Sequence, residues 1–242
     1  MTTACALIIG DEILTGKVQD ANSYTLARVL FERGVRLLRI ETVSDDIDEI
    51  GQTVRKLSGL ADYVFTSGGI GPTHDDRTYE AIAKAFDRGL ALHAPTLEKL
   101  RMDLQQRYPD AVLNDARKRM ALLPDPCEII GVERLWVPVV VVENVHILPG
   151  VPSLFSYMIN GIKQRFRGEV CERIIIYTRK SEGDIAEDLS RVQHAFPSVA
   201  IGSYPEYDKA TYKVMVTFEG VDVETVHKAA RQVERAIDGF HL

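Results

Sequence analysis

A short apolar run followed by a stretch of helical periodicity occurs three times before residue 90, and no other feature restricts the possible folds as much. Ala4 to Ile9 is continuously apolar and short, as suits a strand buried on both faces. From Asn22 the apolar residues Leu26, Val29 and Leu30 recur at helical spacing, with Asn22 or Ser23 as the cap and Gly34 as a left-handed stop. Val35 to Val43 reads as a second strand. Asp46 and Glu49 then have capping-box spacing ahead of Ile47, Ile50, Val54 and Leu57. Asp62 to Thr66 is a third strand, Ser67 to Thr78 a glycine-rich loop, and Ala81, Ile82, Ala85 and Phe86 the next helical face. Strand then helix, repeated, predicts a parallel sheet covered on both faces.

The middle is more helical. Pro95 suits a first helical position, Leu97, Leu100 and Leu104 continue the face, and Pro109 stops it. Val137 to Leu148 reads as a β-hairpin turning at Glu143-Asn144, and Phe155, Met158, Ile159 and Ile162 form a helix ending near Gly168. A first domain over 1–168 is therefore expected. Beyond it, a strand at Arg173–Tyr177, a helix at Ile185–Val192, strands at Val199–Tyr204 and Tyr212–Phe218 and a helix at Val223–Ile237 give a small α+β module over 169–242.

Composition removes several function classes. With 242 residues, 45% hydrophobic and 26% charged, the chain is neither disordered nor fibrous. Twenty-nine basic against thirty-five acidic residues leave a net charge of −6, a poor starting point for gripping nucleic acid. Cys5, Cys127 and Cys171 match neither a disulfide framework nor a zinc site, and the six histidines lack metal-ligand spacing. No leader-like start is visible, and the longest apolar run, Leu135 to Val142, is too short to span a membrane. A cytoplasmic location and no membrane partner are expected.

Three loops at strand ends carry the polar chemistry. The strongest runs from Ser67-Gly68-Gly69-Ile70-Gly71-Pro72-Thr73 through Asp75-Asp76 to Thr78, between a parallel strand and a helix. Glycines there permit positive φ and let backbone N–H groups approach a phosphate, although a tight turn with Asp76 as an N-cap explains them equally well. The acidic pair favours a ligand, since adjacent carboxylates beside a phosphate cradle call for a cation such as Mg²⁺. The second loop, Gly10-Asp11-Glu12, leads to Gly16-Lys17 but is no Walker A loop; it either caps a turn or binds a ligand. In the third, Asp46 is explained as a helix cap while Asp45 has no local duty. No nucleophile elbow or cysteine–histidine pair suggests covalent hydrolysis.

Together, Gly10-Asp11-Glu12-Ile13-Leu14-x-Gly16, Asn22-Ser23, Ser44-Asp45-Asp46 and the Gly68–Thr78 loop resemble the MoaB/Mog molybdopterin-binding-like superfamily, most closely the N-terminal domain of competence/damage-inducible protein A. Asn114 with Arg117 and Arg119, Leu123-Pro124, and Pro149-Gly150-Val151-Pro152 resemble its later loops. The tail, with Glu182-Gly183-Asp184-Ile185 and Ile201-Gly202-Ser203-Tyr204, is similar to the segment after that domain in eukaryotic-type FAD synthases. The resemblance implies a three-layer α/β fold with a mostly parallel sheet. It also implies a site for a pterin phosphate or adenine dinucleotide against Gly10, Asp11, Glu12, Ser67, Gly68, Gly69, Gly71, Pro72, Thr73, Thr78, Asn114, Pro149 and Gly150.

The expected activity is hydrolysis of a pyrophosphate bond, with ADP-ribose or FAD as substrate class. Catalytic roles fall to Asp45 and Asp76, and a divalent metal (Mg, Mn or Co), with potassium in some members, to Asp45, Asp75 and Asp76. The position of Asp75 is often basic in Mog-type proteins, so the acidic pair favours hydrolysis over the alternatives, molybdopterin adenylylation or a non-catalytic nucleotide sensor. No segment resembles the amidohydrolase or adenylyltransferase domains of these relatives, so neither NMN deamidation nor FAD synthesis is expected. The module's order shares something with RNA-binding KH domains, but Glu182-Gly183-Asp184-Ile185 is no GxxG clamp and Glu187 and Asp188 repel a phosphate backbone. Finally, Leu135, Val137, Val139 and Val141 alternate with Trp136 and Val140, so a projecting hairpin would be apolar on both faces; a homodimer, with a trimer next, is expected to cover it.

Overall fold

In the computed structural model, which describes residues 1–208 and 210–242, the first apolar run becomes strand β1 (Thr3–Ile9), and Ala4 to Ile9 are all buried. A short helix α1 (Asp11–Leu14) follows, then α2 (Asn22–Glu32), β2 (Arg36–Val43), α3 (Ile47–Ser58), β3 (Tyr63–Ser67) and α4 (Thr78–Ala85). β1 pairs in parallel with both β2 and β3. The chain therefore steps from β1 one way to β2 and returns past β1 to β3. Crossovers of one hand then place α2 and α3 on opposite faces of the sheet. α2 packs with α7 (Pro152–Ile162) and α3 packs with α4, which completes a helical layer on each face.

Between α4 and α7 lie β4 (Gly89–Leu92), α5 (Ala94–Arg107), α6 (Asp115–Arg119), β5 (Leu122–Asp125), β6 (Glu128–Ile130), β7 (Val139–Val142) and β8 (Val145–Leu148). β4 and β5 form a separate antiparallel pair whose short, exposed β4 shows no alternation that a sequence reading can use. The main sheet has the order β2-β1-β3-β8-β7-β6, with β8 parallel to β3 and β7 antiparallel to both its neighbours.

This topology corrects two sequence expectations. The hairpin turns at Glu143-Asn144 as expected, with Glu143 at φ 52°, but it does not project. β8 inserts beside β3 and β6 covers the outer edge of β7, so Val139 to Val142 are no more than 5% exposed. Both faces are apolar because both are covered by the same unit, and the hairpin supplies no argument for a dimer. The start of α2 also differs: Asp20 Oδ1 accepts from the Asn22 and Ser23 amides at 2.9 and 3.2 Å, so Asp20 caps the helix and Asn22 lies inside it.

The chain folds as two compact units, Met1–Gly168 and Glu169–Leu242. The second is β9 (Glu172–Thr178), α8 (Glu182–Ala195), β10 (Ala200–Pro205), β11 (Val214–Gly220) and α9 (Val223–Ala236), with an antiparallel sheet in the order β10-β11-β9. Ser181 and Asp184 make a reciprocal capping box at α8. The two helices pack on each other and on the sheet, burying Ile185, Val192, Phe218, Val226 and Val233. No helix among the described residues is long and apolar enough to cross a membrane.

Candidate functional site

Four adjacent parallel strands, β2, β1, β3 and β8, run out at the same edge of the sheet, so the loops after Val43, Ile9, Ser67 and Leu148 meet there. The strand order reverses between β1 and β3, which opens the crevice where ligands of doubly wound sheets bind.

The glycine loop is shaped by close backbone approach. Gly68 has φ 115°, and a Cβ there would lie 2.1 Å from the Ile9 carbonyl oxygen; Gly69 has φ 65°, and its Cβ would lie 2.2 Å from Thr78 Oγ1. Buried Thr78 closes the loop, its hydroxyl donating to Gly68 O at 2.9 Å and its amide to Gly69 O at 2.9 Å. Asn22 ties this loop to the next: its Nδ2 donates to Ser67 Oγ at 2.8 Å and to the Gly150 carbonyl at 2.7 Å. Because that carbonyl can only accept, the amide orientation is determined. Asn22 Oδ1 then remains buried without a protein partner among the described residues. Ser67, Pro149 and Gly150 are thus part of the site's frame.

Asp76 has a duty that its sequence position does not reveal. Its carboxylate accepts from Gly71 N at 2.7 Å, from Thr73 N at 2.8 Å and from the Thr73 hydroxyl. It does not cap α4, whose cap position is Arg77; three of its acceptor positions are taken up within the loop. The Gly71 amide, a natural phosphate donor by sequence, is spent on this carboxylate. Pro72 and Thr73 form the exposed tip.

The acidic residues gather around Asp45, whose Oδ2 accepts from the Asp11 amide at 3.0 Å. Burial pushes the Asp45 carboxyl above the usual carboxylate range, and the charges of Asp11, Glu12 and Asp75 push the same way against the pull of that hydrogen bond. Asp75 is held below its usual range by the Thr73 hydroxyl, which it shares with Asp76, by its own amide and by His74. Asp46 caps α3 through the Asp48 and Glu49 amides, while Glu49 turns back to Ser44. Asp45, Asp75 and Asp76 do not form one cluster: among the described residues no three His, Cys, Asp or Glu side chains are grouped to hold an ion.

Asn114 is spent as the cap of α6, accepting from the Arg117 amide at 3.0 Å. The residue of that segment that reaches the glycine loop is Arg119, which donates to Thr73 O at 3.1 Å. By sequence Arg119 has no role beyond the resemblance, and Asn22, like Ser23, is a candidate cap. The signal for Asn22 was a polar residue one step inside a helix that Asp20 already caps; nothing local marks Arg119.

Residues 5–167 match the family described as probable molybdopterin binding domain, which covers more than half of the chain. The chain belongs to this family. Residues 172–241 match the middle domain of FAD synthase, so the second unit also has a family relation. A protein of Archaeoglobus fulgidus is 36% identical over 231 residues, covering 95% of this chain and 96% of its own length. A probable FAD synthase of Caenorhabditis elegans is 32% identical over 262 residues; the match takes in 98% of this chain and 50% of the synthase, so the chain spans about half of that relative. Among solved structures, the protein CinA with unknown function from Thermoplasma acidophilum is 31% identical, with a TM-score of 0.61 over 68% of this chain and 98% of that one. The molybdopterin-binding-like fold, with a mostly parallel sheet followed by a small antiparallel α+β unit, agrees with the resemblance read from the loops.

Proposed function

We propose that the chain hydrolyses the pyrophosphate bond of an adenine dinucleotide of the ADP-ribose or FAD class, with the help of a divalent cation. The observation that carries this reading is Asp45, a half-buried carboxyl beside Asp11, Glu12 and Asp75 at the edge where the glycine loop also ends. Uncompensated negative charge next to an anion-binding loop suits a cation between them, and the all-carboxylate donor set suits Mg²⁺, Mn²⁺ or Co²⁺. Among the described residues the carboxylates do not by themselves make an ion cage, so Asp45, with the charge of Asp75 nearby, would hold that cation only together with the ligand's phosphate oxygens, and when bound it would supply charge compensation at the phosphates and a more acidic water.

The chain's own groups do the rest. The backbone at Gly68 and Gly69, packed against Ile9 and Thr78 too closely for a Cβ, would bound the ligand phosphate, and Asn22 holds the Ser67 and Gly150 loops in register. Asp76 stiffens the loop tip from within, and Arg119 adds a cation beside it. Polar groups fixed in this way are ready before the ligand arrives.

The test is incubation of pure protein with ADP-ribose and FAD across Mg²⁺, Mn²⁺ and Co²⁺, with and without K⁺. Cation-dependent release of AMP, abolished by Asp45→Asn, is the expected result. Absence of turnover with every pair overturns it. The match to a molybdopterin binding domain favours a second reading, binding and adenylylation of a pterin phosphate; tight pterin-phosphate and ATP binding without dinucleotide hydrolysis would establish that instead. Nucleotide binding without turnover, unchanged in kind by Asp45→Asn, would mark a sensor.

A further inference from the structure

The second unit is acidic, with nine Lys and Arg against thirteen Asp and Glu in 74 residues, yet one of its grooves has only cations among its charged lining groups. This open groove of about 640 Å³ is bounded by Phe196 at the end of α8 and by Lys228, Arg231, Gln232, Arg235 and Ala236 of α9. Lys228, Arg231 and Arg235 are three and four residues apart, so they share one stripe of α9, where like charges repel. Lys228 is relieved by Glu224 one turn earlier, at 2.7 Å. Arg231 and Arg235 have no ion-pair partner among the described residues. The polar face of an amphipathic helix in an acidic unit is expected to mix signs.

We infer that this groove is a binding site for a nucleoside diphosphate, separate from the strand-edge site of the first unit. The groove is open, so it can cradle one side of a small ligand rather than enclose it. The two guanidinium groups offer paired N–H donors in the geometry that suits phosphate oxygens, and Lys228 adds a third charge. A diphosphate monoester carries about three negative charges at neutral pH, of which these two guanidinium groups offset about two, with Lys228, shared with Glu224, contributing to the rest. Half-buried Phe196, which packs against the unit's core and also lines the groove, supplies apolar surface against which a base can rest, and the Gln232 amide can donate to and accept from a base edge. A long nucleic acid is the poorer fit, because the acidic remainder of the unit would repel its flanking phosphates.

The experiment is a titration of the ¹⁵N-labelled full chain at physiological salt with ADP, inorganic pyrophosphate, adenosine or a single-stranded RNA oligomer, following the amides of Phe196 and residues 223–236. ADP is expected to move both sets saturably, pyrophosphate to move the α9 amides more weakly, and adenosine to give no saturation. Arg231→Glu and Arg235→Glu, both at exposed positions, should each weaken ADP binding at these amides at least about tenfold, the loss expected for one charge-assisted contact, while the other resonances keep their positions. No saturable ADP response at these amides, a response that survives both reversals, or tighter and length-dependent binding of the RNA would each overturn the inference. Because the readout is local to α9, the result is independent of whether the first unit hydrolyses anything.

Discussion

Replacing His146 should remove an acid sensitivity from the first unit, and the size of the effect follows from where the ring lies. His146 is on β8, 6% exposed, with the rings of Tyr63, Phe65 and Phe166 at centroid distances of 5.9, 5.2 and 5.3 Å. Its Nδ1 donates to the Asn144 carbonyl at 3.2 Å in the neutral form. Burial depresses its pKa from 6.5 to about 4. The nearby charge of Arg165 acts in the same direction, while the Asn144 hydrogen bond, Glu128 and the Val64 backbone oppose them. The unfolded chain therefore binds one more proton than the folded chain between these two values. Stability contributed by the neutral ring is complete above pH 6.5 and is lost as pH falls towards 4. At 1.36 kcal/mol per tenfold change in proton affinity, the loss reaches about 3 kcal/mol at the acid end, and the slope inside the window approaches 1.4 kcal/mol per pH unit. Urea unfolding at several pH values between 7 and 4.5, read by the fluorescence of Trp136, which packs against the same core, measures this directly. His146→Gln and His146→Leu change packing by a constant amount at every pH, so the informative quantity is the difference in slope. Wild type should lose about 2 kcal/mol more than either variant between pH 6.5 and 4.5. Parallel pH profiles in all three proteins would refute the assignment of a buried neutral ring.

Four further outcomes follow from the site and its frame. Asn22→Ala removes two buried hydrogen bonds and leaves Ser67 Oγ and the Gly150 carbonyl without their donor; a loss of about 2 kcal/mol in chemical denaturation is expected, with faster amide exchange at 67–71 and 149–151. Gly68→Ala, at φ 115° and 2.1 Å from Ile9 O, should cost about 3 kcal/mol or more, whereas Gly89→Ala, with open space around it, should stay within about 1 kcal/mol; equal melting temperatures would contradict the loop geometry. The raised folded-state pKa of Asp45 means that stability falls as pH rises from 3.8 through that value, so Asp45→Asn should raise the melting temperature at pH 7 without added cation and abolish any stabilisation by Mg²⁺; a lower melting temperature would show that Asp45 is favourably ionised. Val139→Lys puts a charge at a position with no exposure, so it should abolish folding of the first unit rather than yield a folded monomer, as circular dichroism and light scattering would show.

Most of the strand and helix pattern could be read from residues alone because periodicity is local: β1, α2, β2, α3 and β3 each encode their type and their buried face within a dozen residues, whereas the short β4, α6, β5 and β6 carry too few residues to show a period. The position of the site followed from the same pattern, since loops after parallel strands must share one edge. Local pattern could not tell that the hairpin's two apolar faces are both covered at home, because that depends on β8 joining β3 and on β6 closing over β7. It could not tell that Asp76 bends back onto Gly71 and Thr73 rather than facing a ligand, since a carboxylate at that spacing satisfies either geometry. Nor could it find Asn22 as the tie between residues 67 and 150, or the perturbed state of Asp45, whose hydrogen-bond donor is 34 residues away. Residue type and spacing determine which elements form and which end of the sheet is polar. Which polar groups bond to one another, and which lose their water and shift in pKa, is decided only when distant segments pack, because desolvation and hydrogen bonding depend on distances that the sequence does not contain.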